Sequence, residues 1–182
     1  MLIKTYASCV HGVDALTVTV ETDVTPGVNF FMVGLPDNAV KESQQRIESA
    51  LRATGFRMPG KKIVVNMAPA DIRKEGSSYD LPLAVGILAA SEQIQCDDVD
   101  KYVILGELSL DGSLRPIKGA LPMAIVARSM NLDGFILPKE NAMEAAVVNN
   151  LNIYAVDNLT EVVEFLNGDR QLETTTVNTR EA

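Results

Sequence analysis

The chain has 182 residues, 47% of them hydrophobic, which is enough for one domain with a substantial core. Its formal net charge of −8 argues against a protein that binds nucleic acid through overall positive charge. Cys9 and Cys96 lie far apart and form no metal-binding spacing, as expected of free thiols in a reducing compartment. The start has no signal-like apolar segment, and the longest apolar run, residues 81–90, is too short to cross a membrane. We therefore expect a soluble, cytoplasmic protein with no membrane partner.

The first third of the sequence predicts three strands followed by a helix. Residues 2–10 and 15–25 read as strands joined by a turn at Gly12, because apolar and polar residues alternate in the second of them. Residues 30–34 are apolar throughout, which predicts a central third strand in an antiparallel meander. Residues 36–54 then take the helical period, with Asp37 near the start and Gly55 just past the end.

The rest of the chain alternates strands and helices. The predicted strands are residues 63–67, 102–107, 135–137 and 153–156, and the predicted helices are residues 81–93, 119–130, 140–147 and 159–166. In the helix at 119–130 we expect Leu121, Ile125 and Val126 to face inward. Asp111-Gly112 predicts a hairpin with a type I′ turn. The pattern indicates an α+β fold with a mixed sheet and packed helices: one domain over residues 1–167, then a polar linker or tail over 168–182.

A polar turn leads directly into the most apolar stretch of the chain. The turn is formed by Lys74, Glu75, Gly76, Ser77 and Ser78, and the apolar run begins at Leu81. Ser77, Ser78 or Asp80 is expected to cap the helix, and Pro82 fits its first turn. The positive end of such a helix is a candidate site for an anion or a nucleophile, and the alternative is a capped core helix without chemistry.

Basic residues are concentrated in the segment from residue 52 to residue 74, where the only acid is Asp71. The bases are Arg52, Arg57, Lys61, Lys62, Arg73 and Lys74. They form a candidate patch for contact with DNA or with another subunit. The alternative is a solvated loop and strand edge, because lysines on edge strands also prevent aggregation.

Several common motifs are absent from the sequence. There is no GxxxxGK[ST] phosphate-binding loop and no GxGxxG turn, so this chain is not expected to bind or hydrolyse ATP alone. The one histidine, His11, has no serine or cysteine partner at a spacing that would define a triad. The acids at 97, 98 and 100 lack the glycine and the closing glutamate of an EF-hand, so no metal site is predicted.

Three blocks of sequence resemble the Mg-chelatase-like AAA+ ATPases of the YifB/ComM type. They are FMVGLPDNAVKES at residues 31–43, NMAPADIRKEGSSYDLPLA at 66–84 and GELSLDGSLRPIKGALP at 106–122. The resemblance implies a ribosomal protein S5 domain 2-like fold, related to the Lon proteolytic domain, that precedes an AAA+ module. It further implies that the full-length protein uses ATP and Mg and forms a hexameric homo-oligomer. Members of this family are associated with DNA motors that promote branch migration in natural transformation.

The resemblance to Lon also places the lost catalytic positions. The Lon nucleophile falls on Ser78, and the lysine of its dyad falls on Leu121. A serine hydroxyl needs an adjacent base to become a nucleophile, and leucine cannot supply one. Tyr79 and Asp80 would also crowd and charge the place where a peptide carbonyl approaches. The resemblance therefore implies a fragment that is not an enzyme and has no catalytic residues.

Three functional hypotheses remain open at this point. The first is a non-catalytic domain that supports assembly or DNA contact of the motor. The second is a Lon-like Ser/Lys peptidase that uses Ser78 with Lys118 or Lys74 as base. The third is a purely structural oligomerisation domain that touches no DNA.

Overall fold

A computed structural model describes residues 1–177, which form nine strands and six α-helices. The strands are β1 (Leu2–His11), β2 (Asp14–Thr25), β3 (Phe30–Val33), β4 (Lys62–Ala68), β5 (Tyr102–Ile104), β6 (Glu107–Leu108), β7 (Leu114–Arg115), β8 (Gly134–Pro138) and β9 (Ile153–Val156). The helices are α1 (Asn38–Lys41), α2 (Ser43–Ala53), α3 (Asp80–Ala90), α4 (Ala120–Ser129), α5 (Lys139–Ala145) and α6 (Leu159–Leu166).

Seven strands form one mixed sheet in the order β3-β4-β2-β1-β5-β8-β9. The pairs β1–β2 and β2–β4 are antiparallel, and the other four pairs are parallel. The short strands β6 and β7 make a separate hairpin. This architecture confirms the predicted α+β class with a mixed sheet and packed helices.

Helix α3 is the centre of the core. All eleven of its residues are buried, so it has no polar face, and it packs against β1, β2 and α2. Apolar and polar residues alternate along β2, so Val18, Val20 and Val24 are buried on the same face of the strand. This alternation explains the contact with α3. A helix that is apolar all round can be stable in water only inside such a layer.

The third strand is an edge strand, so the prediction that residues 30–34 are central was wrong. β3 pairs only with β4, in parallel, and the exposed fractions of Phe31 and Val33 are 46% and 49%. The predicted meander is also wrong, because β4 lies between β2 and β3 in the sheet. A short, wholly apolar run does not distinguish a central strand from an edge strand with one uncovered face.

The structure corrects the inward face of α4. Leu121 and Ile125 are exposed to 37% and 47%, whereas Val126 is half-buried and packs against the core as predicted. The fully buried residues are Ala120, Met123, Ala124 and Ala127. Three of these are alanines, and such small side chains let the helix approach β1 and β2 closely. The predicted helix at 36–54 is divided into α1 and α2 at Glu42, and Asp37 caps α1 by accepting a 2.8 Å hydrogen bond from the Val40 N–H.

The predicted hairpin at residues 109–114 is present, but its turn is of another type. The Gly112 N–H donates to the Ser109 carbonyl at 3.0 Å, and Gly112 is the residue of the turn with a positive φ, at 91°. A type I′ turn requires positive φ at both central residues, whereas here Leu110 and Asp111 are central and a left-handed glycine follows them.

The segment after α6 remains in contact with the domain. Leu172 packs against the core, and the Thr175 N–H donates to the Ile153 carbonyl at 2.8 Å. The predicted domain boundary after residue 167 stays a prediction, and residues 178–182 of the predicted tail lie outside the described residues.

Candidate functional site

A cleft opens where the parallel strands β1 and β5 separate. The two strands pair at Tyr6 and Val103, and beyond this point β1 continues to His11 while β5 ends at Ile104. The cleft has a volume of about 880 Å³. It lies beyond the carboxyl ends of two parallel strands, where open sheets usually bind ligands. It is therefore the candidate functional site of the domain.

Three segments form most of the walls of this cleft, and Asp37 and Met123 complete the lining. The three segments are the end of β1 with its turn (residues 9–12), the loop before α3 (residues 71–79 without Lys74), and the hairpin side with Glu107 and residues 116–118. The last wall is fixed by Asn141, whose side-chain amide accepts from the Ile117 N–H at 2.8 Å and donates to the Ile117 carbonyl at 2.9 Å. Ser77, Ser78 and Lys118 thus share one cleft.

Lys74 lies behind this loop and has no exposed surface. Its Nζ donates to the Gly34 carbonyl at 2.8 Å and to the Pro69 carbonyl. Burial lowers the pKa of Lys74, because the protein interior disfavours the ammonium form. Lys74 therefore holds the loop in place, and its inclusion among the bases of a contact surface was wrong.

Within the described residues, the first helical positions of α3, Asp80 to Pro82, offer no free N–H to an anion, contrary to the sequence-based hypothesis. The Asp80 N–H donates to the Ser77 carbonyl at 3.2 Å, the Leu81 N–H donates to the Gly106 carbonyl at 3.0 Å, and Pro82 has no N–H. The N-cap residue is Tyr79, which makes no side-chain capping bond, so the predicted cap by Ser77, Ser78 or Asp80 is also absent. Backbone carbonyls already satisfy the positive end of the helix.

Asp80 faces away from the cleft and pairs with Arg46 of α2. The Arg46 Nε–Oδ2 distance is 2.6 Å and the Nη2–Oδ1 distance is 3.0 Å, and the Leu108 N–H also donates to Oδ2 at 3.0 Å. Burial raises the pKa of Asp80 although these donors oppose the effect. The expectation that Asp80 charges the cleft was wrong, because its carboxylate is buried and joins α2, α3 and β6.

Ser78 is in the cleft but has no hydrogen-bonded base. Its carbonyl accepts from the Gly106 N–H at 2.9 Å, and no bond in residues 1–177 reaches its hydroxyl. The neighbouring Ser77 hydroxyl donates to the Glu107 carboxylate. Lys118 is exposed on the opposite wall, and Leu121 lies on α4 outside the cleft lining. The arrangement therefore contains a serine without the contact that would activate it.

Cys9 is a residue of the cleft that was not expected from the sequence. It is half-buried, and burial raises the pKa of its thiol, which disfavours the nucleophilic thiolate. Tyr79, which the sequence led us to expect at the site, is buried beside Cys9; its hydroxyl has no hydrogen-bond partner within residues 1–177, and burial raises its pKa. His11, at the end of β1, also lines the cleft. Only the knowledge that β1 ends beside the loop before α3 would have brought these residues together.

The predicted basic residues do not form one patch. Arg52, Arg57, Lys61 and Lys62 are exposed around the loop between α2 and β4, which we call the basic loop (residues 52–62). Arg73 follows the other end of β4, roughly 20 Å away along a seven-residue strand, and pairs with Glu75 at 3.5 Å. No base of the basic loop forms a salt bridge within residues 1–177.

The part of the chain that the structure describes contains neither a metal-binding cluster nor a membrane-spanning helix. No group of three or more His, Cys, Asp or Glu side chains in residues 1–177 is arranged to hold a metal ion. No helix among these residues has the length and apolarity needed to cross a membrane.

Comparison with known proteins identifies relatives of the whole domain. A family model described as subunit ChlI of Mg-chelatase matches residues 20–141. Competence protein ComM of Haemophilus influenzae is 44% identical over 92% of this chain and 33% of its own length. The uncharacterized protein YifB of Escherichia coli is 42% identical over 89% of this chain and 32% of its own length. Lon protease 2 of Bacillus subtilis is 29% identical over 68% of this chain and 22% of its own length.

Proposed function

Because this chain belongs to the Mg-chelatase subunit ChlI family, we propose that it is the non-catalytic N-terminal domain of an ATP-dependent DNA motor. The chain spans about a third of the length of its ComM and YifB relatives. We infer that the ATPase module, with its ATP and Mg, belongs to the remaining two thirds of the full-length protein. The H. influenzae relative is named a competence protein, and we infer for this chain a role in DNA processing during natural transformation, in the cytoplasm.

The observation that carries this proposal is the chemistry of the cleft. A Lon-like turn places Ser78 in an open cleft, but Leu121 stands outside it and no base is bonded to the serine hydroxyl. A domain that keeps the architecture without the activated nucleophile is suited to binding rather than to hydrolysis. The same observation weighs against the rival function of a Ser/Lys peptidase. Lys118 would have to reach Ser78 across the cleft, and the buried Lys74 would have to leave the Gly34 and Pro69 carbonyls.

The basic loop supports contact with DNA as the task of this domain. It carries four exposed bases and no acid, on a chain whose net charge is −8. Non-specific affinities are only ~10⁻⁴–10⁻⁶ M at physiological salt even for well-charged proteins, so one acidic domain should bind at or beyond the weak end of this range. Six copies in a hexamer would strengthen such a contact through effective concentration.

Charge reversal tests this contact. We expect the 182-residue chain to bind a fluorescent duplex weakly at low salt, and the triple variant Arg57→Glu, Lys61→Glu, Lys62→Glu to lose the binding with its fold intact. The matched control is Lys139→Glu, which reverses an exposed base on α5, far from the loop in sequence. No binding by the wild-type chain at low salt, or equal loss in the control, would favour instead a structural domain that contacts only neighbouring subunits.

A further inference from the structure

The two outer edges of the seven-stranded sheet differ in whether another segment of the chain covers them. At the β9 edge, the segment after α6 returns, and the Thr175 N–H donates to the Ile153 carbonyl at 2.8 Å. At the β3 edge, no backbone group from residues 1–177 pairs with the outer side of the strand. The sheet therefore has one covered edge and one open edge.

The ladder between β3 and β4 shows which backbone groups are open. The Ile63 N–H donates to the Asn29 carbonyl at 3.0 Å, and Phe30 is the residue opposite Ile63 in this parallel pair. In a parallel ladder with this bond, residues 29, 31 and 33 point their N–H and C=O groups at β4. The N–H and C=O groups of Phe30 and Met32 consequently point outward.

The side chains of this edge strand are apolar, and the nearest charge is Lys62 of β4, whose Nζ lies 5.7 Å from the centroid of the Phe31 ring. Four apolar side chains in or next to the strand are strongly exposed: Val28 at 71%, Phe31 at 46%, Val33 at 49% and Leu35 at 54%. No charged residue occurs between Asp23 and Asp37. Edge strands of soluble proteins usually carry a charge, a proline or a bulge that prevents pairing with another chain, and β3 itself has none of these.

We propose that β3 pairs antiparallel with β3 of a second copy of this chain around a two-fold axis. Neighbours within a six-fold ring meet through unlike surfaces, so in the full-length protein this contact would join copies from two different rings. The occupant must be a strand, because the open groups are backbone donors and acceptors in strand geometry. Pairing of β3 with β9 of another copy is excluded by the segment that already covers β9. Because the segment between Asp23 and Asp37 contains no acid, two chains of net charge −8 can approach at β3 without opposing carboxylates from this segment.

The outward-pointing N–H and C=O groups also determine the register of the proposed β3–β3 pair. Phe30 opposite Met32 of the second copy is the alignment that satisfies the outward groups of both residues in both strands. This alignment places Phe31 opposite Phe31 of the second copy, as an exposed aromatic cross-strand pair. Four-residue strands bury less than the ~800 Å² per partner of a standard interface, so the dimer is weak and forms in a concentration-dependent manner.

Sedimentation velocity of the 182-residue chain, from micromolar to millimolar concentration, tests the association. We expect a reversible dimer that the variant Phe31→Lys weakens by at least ~10-fold. The control is Val13→Lys, which adds the same charge at an apolar residue that is 92% exposed at the tip of the β1–β2 turn. A wild-type chain that is monomeric throughout, or a control that dissociates as much as Phe31→Lys, overturns the proposal.

Disulfide trapping tests the register in a Cys9→Ala, Cys96→Ala background. The Cα atoms of the two copies of residue 31 should lie ~4.5 Å apart, within disulfide range, so Phe31→Cys should form a covalent dimer on mild oxidation. Residue 33 lies opposite residue 29 in this alignment, so the two copies of residue 33 are ~13 Å apart and Val33→Cys should stay monomeric. Equal trapping of both variants, or trapping of Val33→Cys alone, contradicts the β3 pairing.

Discussion

Two charged residues near the cleft, Asp80 and Lys74, are held out of it by buried partners. Asp80 faces Arg46 and the Leu108 N–H, and Lys74 donates to two backbone carbonyls. The sequence identified both as parts of the turn before α3 but contained no sign of Arg46, because a charged residue on an amphipathic helix is usually solvated. Arg46 points inward because of where α3 lies, and the local sequence pattern carries no information about that position.

Replacement of Asp80 by alanine should lower the free energy of unfolding by about 2 kcal/mol. The substitution removes the main partner of Arg46, whose side chain is 20% exposed and still lies 3.7 Å from Glu42, and it leaves the Leu108 N–H without its acceptor. Urea denaturation followed by circular dichroism measures the change. The control is Glu75→Ala, which breaks the exposed pair with Arg73 and should cost less than ~0.5 kcal/mol. Equal effects of the two substitutions would show that the Arg46–Asp80 pair contributes nothing beyond a surface pair.

Lys74→Met should destabilise the chain at pH 7 by roughly 1–3 kcal/mol, because two carbonyls lose their donor. The folded-state pKa of Lys74 is lowered below its ordinary value of 10.5, so the unfolded chain binds this proton more tightly. The contribution of Lys74 to the free energy of unfolding therefore increases as the pH rises from the lowered pKa to 10.5. Urea titrations across this range would compare the chain that keeps Lys74 with the Lys74→Met variant, both carrying Cys9→Ala. The difference in stability between the two should widen with pH, and a narrowing difference would contradict a lowered pKa.

At the scale of elements, the sequence predicted most strands and helices but not the order of the strands. The predicted strand at 153–156 and the predicted helix at 159–166 match β9 and α6. Each segment is bounded by clear turn residues, and its apolar residues follow a single periodicity. The edge position of β3 and the buried face of α4 were missed, since both depend on which element packs against them. The sequence predicted that the loop before α3 belongs to a site. It did not predict that Cys9 and Glu107 line the same cleft, because their positions follow from strand order alone.

The close approach of β3 and β4 predicts a strong effect at Gly34. Its φ is 107°, and a Cβ there would lie 2.1 Å from the Met67 carbonyl oxygen. Gly34→Ala should therefore reduce the free energy of unfolding by about 3 kcal/mol or more. The matched control is Gly60→Ala, where a Cβ meets nothing within 4 Å and the change should stay within ~0.5 kcal/mol. Chemical denaturation of the two variants compares them, and a tolerated Gly34→Ala would contradict the described β3–β4 approach.

At the scale of the whole molecule, the domain combines a covered core with three surfaces, two of which adjoin, because Lys62 of the basic loop lies over the Phe31 ring of the open edge. The cleft lies at the carboxyl ends of β1 and β5, the basic loop lies at the start of β4, and the open edge is β3. Ser78 lies in the cleft, and no hydrogen bond within residues 1–177 reaches its hydroxyl. The proposal that the domain acts through its contacts and not through catalysis depends on this observation.

The segment after α6 should resist proteolysis further than its polar sequence predicts. The sequence alone indicates cleavage near Gly168, but Leu172 packs on the core and Thr175 is bonded to β9. Limited trypsin or proteinase K digestion, read by mass spectrometry, should therefore leave a stable core that extends to about residue 175. First cleavage between residues 168 and 172, or inside residues 1–160, would contradict these contacts.

The central claim, a protease-like cleft without an activated nucleophile, is tested most directly by labelling Ser78. The wild-type chain and Ser78→Ala would be incubated with a fluorophosphonate serine reagent at neutral pH, with an active serine hydrolase as positive control, and their intact masses measured. Because no base is bonded to the Ser78 hydroxyl, we predict no adduct on either chain under conditions that label the hydrolase fully. An adduct on the wild-type chain that maps to Ser78 and disappears in Ser78→Ala would contradict the account and favour the peptidase.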